Sequence, residues 1–270
     1  MPCFRLALLL PAFAAAEYAA QPGGMHAPFV YPSSIELAAP PAPAPGISFS
    51  GVFTDHTVLQ RGTAQAAVYG AVTGAATGVT VSVSEVGVAE YSVKAQIVEQ
   101  TAENVTWKAL LHPHAAYGGN VTITASCAGC SGNTSAAISD LTYGDVWFCS
   151  GQSNMELPMQ HALTRNRTYE MLAAGRYGNI RTYKRSEHLK LRDGEALPFI
   201  LPPPAPPSCT QQSGRFSPDT PTCYNGWQIA NASTVDEFSA ACWFTAQELT
   251  DIEIDSNRSA PILGLVQSAW

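Results

Sequence analysis

The hydrophobic pattern of this chain has two regimes, and the switch between them limits its fold more than any other feature. Residues 79–84 read VTVSVS and residues 120–126 read NVTITAS, apolar and polar in alternation, with Gly-rich turns between such runs. That is the period of strands with one face in a core and the other in water. Near Thr142 the alternation stops, and residues 145–149, DVWFC, form a short run that suits a strand buried on both faces, as parallel strands are. Helices are expected at 167–174, closed by Gly175, and at 235–250, where Phe238, Cys242 and Leu249 recur at helical spacing. Residues 262–267 read as a second buried strand. Strand, helix and strand in alternation imply an α/β layer with a parallel sheet. The expected architecture is a β-sandwich-like domain over 47–141 followed by an α/β domain over 142–270, interrupted by a Pro-rich surface loop at 197–207.

The first 46 residues read differently. Residues 1–20 carry one positive charge at Arg5, an apolar run at 6–16 and small residues near Ala16 and Ala20, which together make a secretory signal peptide. The run is interrupted by Pro11 and falls short of the ~20 apolar residues that span a bilayer. Residues 21–46 are an Ala/Pro-rich linker ending in APPAPAPG. The expected product is secreted, or lysosomal and luminal, with no membrane attachment after cleavage.

The asparagines agree with that route. Six of nine head an N-x-S/T triplet, namely Asn104, Asn120, Asn133, Asn166, Asn231 and Asn257. Composition alone predicts about one or two. Glycans must sit in water, so all six are expected at exposed positions. Only 13% of residues are charged and the net charge is −7, which excludes the basic surface that duplex nucleic acid requires.

Removal of the signal takes Cys3 and leaves Cys127, Cys130, Cys149, Cys209, Cys223 and Cys242. Cys209 and Cys223 flank one loop and form a disulfide candidate, whereas Cys149 and Cys242 lie in apolar runs and read as buried thiols. The lone C-x-x-C at Cys127 and Cys130 lacks the second ligand pair of a zinc site and the βαβ setting of a redox motif. No metal or cofactor is expected.

Residues 146–156, VWFCSGQSNME, carry the chemistry. A serine in a strand-to-helix turn sits where α/β folds place their ligands. Ser153 and Glu156 also fit S-x-x-E, an ordinary capping box, although Pro158 follows too closely for a long helix. The wider sequence adds weight to catalysis. GDVWFCSGQSNM at 144–155 resembles the nucleophile block of the sialate O-acetylesterase family, a branch of the SGNH or GDSL-like hydrolases. SGVFTDHTVLQRG at 50–62 is similar to that family's opening β-domain motif, EFSAACWFTAQEL at 237–249 to its FSAxxWFxxxxL helix, and PILGLVQSAW at 261–270 to the strand leading into its next block.

The resemblance covers roughly 47–270 and implies an SGNH-type three-layer α/β/α domain, incomplete here. It implies acyl transfer from an acetylated carbohydrate with Ser153 as nucleophile, Gln152 and Asn154 shaping the turn and Gly151 admitting the tight backbone. The start of a helix also offers N–H groups to an anion. Of the family's oxyanion donors only the nucleophile's own N–H falls within the sequence. The second-block glycine, third-block asparagine and Asp-x-x-His fall past Trp270, and none of His26, His56, His112, His114, His161 and His188 stands three residues after an Asp. His161 is nearest to Ser153 in sequence, but that is not hydrogen-bond geometry.

On this reading the chain is the N-terminal part of a longer esterase, with weak or absent activity expected of it alone, since a serine without a base is a poor nucleophile. The sugar is left open between sialic acid and another acetylated carbohydrate such as xylan. The alternative is a non-catalytic secreted glycoprotein or a nonfunctional shortened product.

Overall fold

The computed structural model describes residues 45–184, 213–214, 217–221 and 226–269. The expected signal peptide, nearly all of the linker, the Pro-rich stretch at 197–207 and the Cys209–Cys223 pair lie outside these residues. What is described is a mixed α/β fold, mostly strand, in several sheets and without a closed barrel.

The alternating half comprises β1 (Gly46–Phe49), β2 (Val58–Gln60), β3 (Ala67–Thr73), β4 (Gly78–Glu85), β5 (Tyr91–Lys94), β6 (Gln96–Gln100), β7 (Asn104–Leu110), β8 (Tyr117–Ala128) and the first part of β9 (Ser135–Gly151). One sheet has the order β1-β3-β7-β6, and its antiparallel partners bury Val68, Val72, Val105 and Trp107. These pack with Val79, Val81, Ile123 and Leu141 of β4, β8 and β9 in one core. The period-two pattern is realised in β8, where Val121, Ile123 and Ala125 are buried while Thr122 and Thr124 are only half-buried. Burying a Val or Ile side chain such as these contributes roughly 1.5–3 kcal/mol.

Beyond β9 come β10 (Ile180–Lys184), the short pair β11 (Ser213–Gly214) and β12 (Ser217–Pro221), then β13 (Trp227–Ile229) and β14 (Leu263–Ala269). The larger sheet has the order β13-β10-β14-β9-β8-β4-β5, with β2 also pairing β9. β8 accompanies the first half of β9 antiparallel, and β14 accompanies the second half parallel. The 17-residue β9 therefore runs without a break through positions 141 and 142.

The motif at 50–62 is laid along β9 at a constant offset of 84 residues. Asp55 Oδ1 accepts from Ser139 N and Oγ, His56 Nδ1 lies 2.5 Å from Asp140 Oδ2, and Arg61 donates twice to the Asp145 carboxylate, at 2.9 and 2.8 Å. Between these contacts, Val58 pairs with Thr142 and Gln60 with Gly144. His56 and Asp140 both hold positive φ, 68° and 53°, which non-Gly residues adopt only when surrounding contacts fix them. Here the fixing contacts include Asp140 N donating to Asn120 Oδ1 and Arg181 from β10 donating to the Asp140 carbonyl. The same segment reaches β13, since Trp227 N donates to Thr54 Oγ1 and Trp227 Nε1 to the Val52 carbonyl.

The helices are α1 (Ser153–Glu156), α2 (Arg165–Ala173), α3 (Ala232–Asp236) and α4 (Ala240–Asp255), with a 3-10 turn at Met159–His161. Leu263 and Leu265 of β14 meet Leu172, Val235, Phe238, Trp243 and Ala246, whereas Val266 meets Val58 and Trp227. Alternate residues of β14 thus serve two different cores. α2 ends at Gly175, φ 77°, and the chain beyond it is tied to α4, with Arg176 Nε donating to Asp251 at 2.7 Å. Tyr177 donates to the same carboxylate, and burial together with that bond pushes its phenol up to about 12.

Three expectations are corrected. The single helix at 235–250 is two, because Phe238 turns its carbonyl to Met159 N and Ser239 restarts the helix by accepting from Cys242 N. The strand at 145–149 is not buried on both faces: Trp147 is 46% and Phe148 60% exposed, and as adjacent strand residues they point to opposite faces, so neither face is fully covered there. Cys149 and Cys242 are not free thiols but a disulfide, their Cα atoms 5.9 Å apart, because β9 and α4 bring the two apolar runs face to face. Cys127 and Cys130 form a second disulfide. β10 was not anticipated.

Candidate active site

Ser153 stands at the carboxyl end of β9, two residues past Gly151, which pairs with Ala269 at the end of β14. It is exposed. The capping box expected of Ser153 and Glu156 is absent, since the N-cap is Gln152, whose side chain makes no capping bond, and Ser153 is the first helical residue. The Gln152 carbonyl accepts from Met155 N at 2.8 Å and Glu156 N at 3.0 Å, so the main chain at Gln152 shapes the turn. Asn154 is exposed. Among the described residues neither Oγ nor N–H of Ser153 is committed to a partner. With only four residues, α1 adds little dipole to this site.

Gly151 is required by a close approach. A Cβ there would lie 2.9 Å from Met155 Cβ. Met155 is held in turn by Ser239, whose Oγ donates to its Sδ at 3.3 Å. Ser239 N donates to the buried Gln267 Oε1 at 2.8 Å. Backbone bonds join the two elements directly: Ala240 N donates to the Leu157 carbonyl and Met159 N to that of Phe238, both at 2.9 Å. Four residues before the serine, Cys149 is bonded to Cys242 in the first turn of α4. An apolar cavity of about 200 Å³ lies on this side of the sheet, lined by Trp147, Cys149, Met155, Ala241, Thr245 and Leu249 among others.

The structure does not bring a described histidine to Ser153 Oγ. His56 is bonded to Asp140, and the eleven residues of extended strand from 141 to 151 put that pair roughly 30 Å or more away. His114 stacks on Tyr143 with ring centroids 4.4 Å apart, and His112 stacks on Tyr91, both in the alternating half. His161 is exposed on the 3-10 turn that follows α1, and His26 and His188 lie outside the described residues. No group of three or more His, Cys, Asp or Glu among the described residues is arranged to hold a metal ion.

All six triplet asparagines that the sequence singled out are exposed: Asn104, Asn120, Asn133, Asn166, Asn231 and Asn257. Asn231 has a further task, since its Oδ1 accepts from Ser233 N and Thr234 N in the capping box of α3. Sequence reasoning missed Ser239, Gln267 and the Cys149–Cys242 bond. Ser239 could have been found, because a serine three residues before Cys242 at the head of an apolar periodic run is an N-cap signature. No local signal marks Gln267.

No sequence model of a protein family matches the chain. Individual proteins do. A sialate O-acetylesterase of Rattus norvegicus is 26% identical over 230 residues, covering 83% of this chain and 36% of that protein. One of Homo sapiens is 29% identical over 136 residues, covering 50% of this chain and 25% of that protein. The chain thus spans about a third or less of the length of these relatives. Among solved structures, a carbohydrate acetylesterase from Xanthomonas citri shares the fold, with a TM-score of 0.51 at 23% identity over 83% of this chain and 40% of that one. The resemblance read from the sequence stands as a likeness: the chain is similar to sialate O-acetylesterases over as much as 83% of its length.

Proposed function

We propose that this chain carries the nucleophile of an esterase that removes O-acetyl groups from carbohydrates, with Ser153 attacking the acetyl carbonyl. The observation that carries the reading is the turn itself: an exposed serine at the end of a strand paired in parallel, its Oγ and N–H both uncommitted, its backbone fixed from below by Met155. An uncommitted N–H beside the attacking oxygen is the donor that an acyl-transfer oxyanion needs. The parallel pairs β9–β14 and β14–β10, with α2, α3 and α4 packed against β14, fit part of an SGNH-type α/β/α layer. Sialic acid is the sugar suggested by the names of the relatives, and acetylated xylan is the alternative. Exposure of all six triplet asparagines and the character of residues 1–20 support a secreted or lysosomal glycoprotein.

A second reading is favoured by one observation, that no described histidine is bonded to Ser153. It is a catalytically silent, glycan-bearing secreted protein. Fluorophosphonate labelling of the purified folded chain, read by peptide mass spectrometry, separates the two. Slow but selective labelling of Ser153, lost on heat denaturation and in Ser153→Ala, is expected of the esterase. A folded chain that takes no label at Ser153 supports the silent protein instead. Acetate release from O-acetylated sialic acid and from acetylated xylan then chooses the sugar.

A further inference from the structure

The start of α4 grips the nucleophile turn on both sides of Ser153. Upstream the grip is covalent, through Cys149 and Cys242. Downstream it runs through Ser239, the wholly buried N-cap of α4, whose Oγ accepts from Cys242 N at 3.2 Å while donating to Met155 Sδ at 3.3 Å. A buried backbone N–H costs free energy unless paired, and that of Ser239 is paired with the buried Gln267 side chain. Gln267 shares its parity with Leu263 and Leu265, so it stands on the face of β14 that is otherwise given to aliphatic packing. A glutamine there costs desolvation that an aliphatic residue would not, and its oxygen spends that cost on one acceptor for Ser239. Met155, the last member, rests against Gly151 on one side and Ser239 on the other, two residues from Ser153.

The geometry points to Ser239 and Gln267 as positioning residues of the nucleophile turn, acting through Met155 to fix the direction of Ser153 Oγ. Neither touches the reacting atoms. The inference rests on the reading of Ser153 as an acyl-transfer nucleophile. A misplacement of about 1 Å can cost on the order of a hundredfold in rate, so a support of this kind registers in reactivity before it registers in stability.

The test uses the full folded chain and two readouts, the rate of fluorophosphonate labelling at Ser153 and amide hydrogen exchange along 150–157. Ser239→Ala removes both the cap of α4 and the bond to Met155, whereas Met155→Leu removes only the sulfur acceptor and leaves the cap. Gln267→Leu removes the acceptor for Ser239 N, and Gln267→Glu retains one. The expected result is labelling slowed roughly ten- to hundredfold in Ser239→Ala, Met155→Leu and Gln267→Leu. Gln267→Glu should stay near the parent rate, and the Ser239→Ala/Met155→Leu double variant should be no slower than either single one. Exchange should quicken at Met155, Glu156 and Leu157 while the second half of α4 keeps its protection. Parent-like labelling in the three variants overturns the inference.

If the parent chain takes no label, the functional reading fails and exchange alone decides. Quickening confined to Met155, Glu156 and Leu157 upholds the positioning role, and unchanged exchange or a loss spread over α4 and β14 overturns it. Should Ser239→Ala not fold, Met155→Leu carries both readouts.

Discussion

Asn231 heads an N-A-S triplet and, in the folded chain, the helix α3, and the two roles use different atoms of one side chain. Its Oδ1 accepts from Ser233 N and Thr234 N, while a glycan would be attached through Nδ2. Asn231→Ala removes both and is expected to lower stability by about 1 kcal/mol, the usual cost of a lost N-cap. Asn231→Asp keeps the acceptor and removes the glycan acceptor site together with the weak Nδ2 donation to the Ile229 carbonyl at 3.3 Å. Urea denaturation of the two variants separates the roles, since equal losses would mean that the cap is not what stabilises α3. The same economy of atoms appears at Ser153, where the sequence allowed both a cap and a nucleophile. Folding gives the N-cap position to Gln152 and leaves the serine hydroxyl uncommitted.

At the scale of elements, β9 and α4 meet through a covalent link that the sequence did not disclose. Cys149 and Cys242 are 93 residues apart, so their bond closes a large loop in the unfolded chain. By the chain-entropy argument such a closure contributes roughly 4.6 kcal/mol. The Cys149→Ala/Cys242→Ala variant is expected to lose stability of that order in a guanidinium titration, and a non-reduced peptide map of the parent should recover the two cysteines in one linked pair. A parent map with free Cys149 would remove the link and the prediction together. The helical expectation over 235–250 failed at a definite place. Periodicity alone carries Phe238 and Cys242 along one helix face, but the Phe238 carbonyl is taken by Met159 N, and a helix that loses that acceptor must restart. Residues 145–149 failed differently. Their composition is that of a buried strand, while burial on a given face depends on what packs there, and Trp147 and Phe148, on opposite faces, both remain exposed.

At the scale of the molecule, the alternating and parallel halves are joined by β9 and by the segment at 50–62 laid beside it. Arg181 is the side chain that closes this joint from β10. Its guanidinium donates to the Asp140 carbonyl and reaches both carboxylate oxygens, at 3.3 and 3.4 Å. The side chain is 10% exposed and Asp140 31%, so the pair is only partly screened by water. Arg181→Met, which keeps the bulk and removes the donors, is expected to cost about 2 kcal/mol. His56→Ala at the outer side of the same carboxylate should cost less, because that ring is 39% exposed. Chemical denaturation of both variants checks the order. A larger loss for His56→Ala would shift the weight of the joint from β10 to the 50–62 segment.

What the sequence determined by itself was local. Alternation in VTVSVS and NVTITAS specified strands with one wet face, and GQSN after an apolar run specified a serine-bearing turn at a strand end. Six N-x-S/T triplets marked positions that are exposed. Each is a property of a few neighbouring residues, which periodicity and turn chemistry encode directly. Tertiary structure decided the rest: the 84-residue offset that zips 55–61 to 139–145, the Cys149–Cys242 pairing, the Gln267–Ser239–Met155 support and the distance that keeps His56 from Ser153. The physical reason is that a hydrophobic pattern states which face of an element is apolar, whereas partner and register are fixed only when distant segments compete for the same surface.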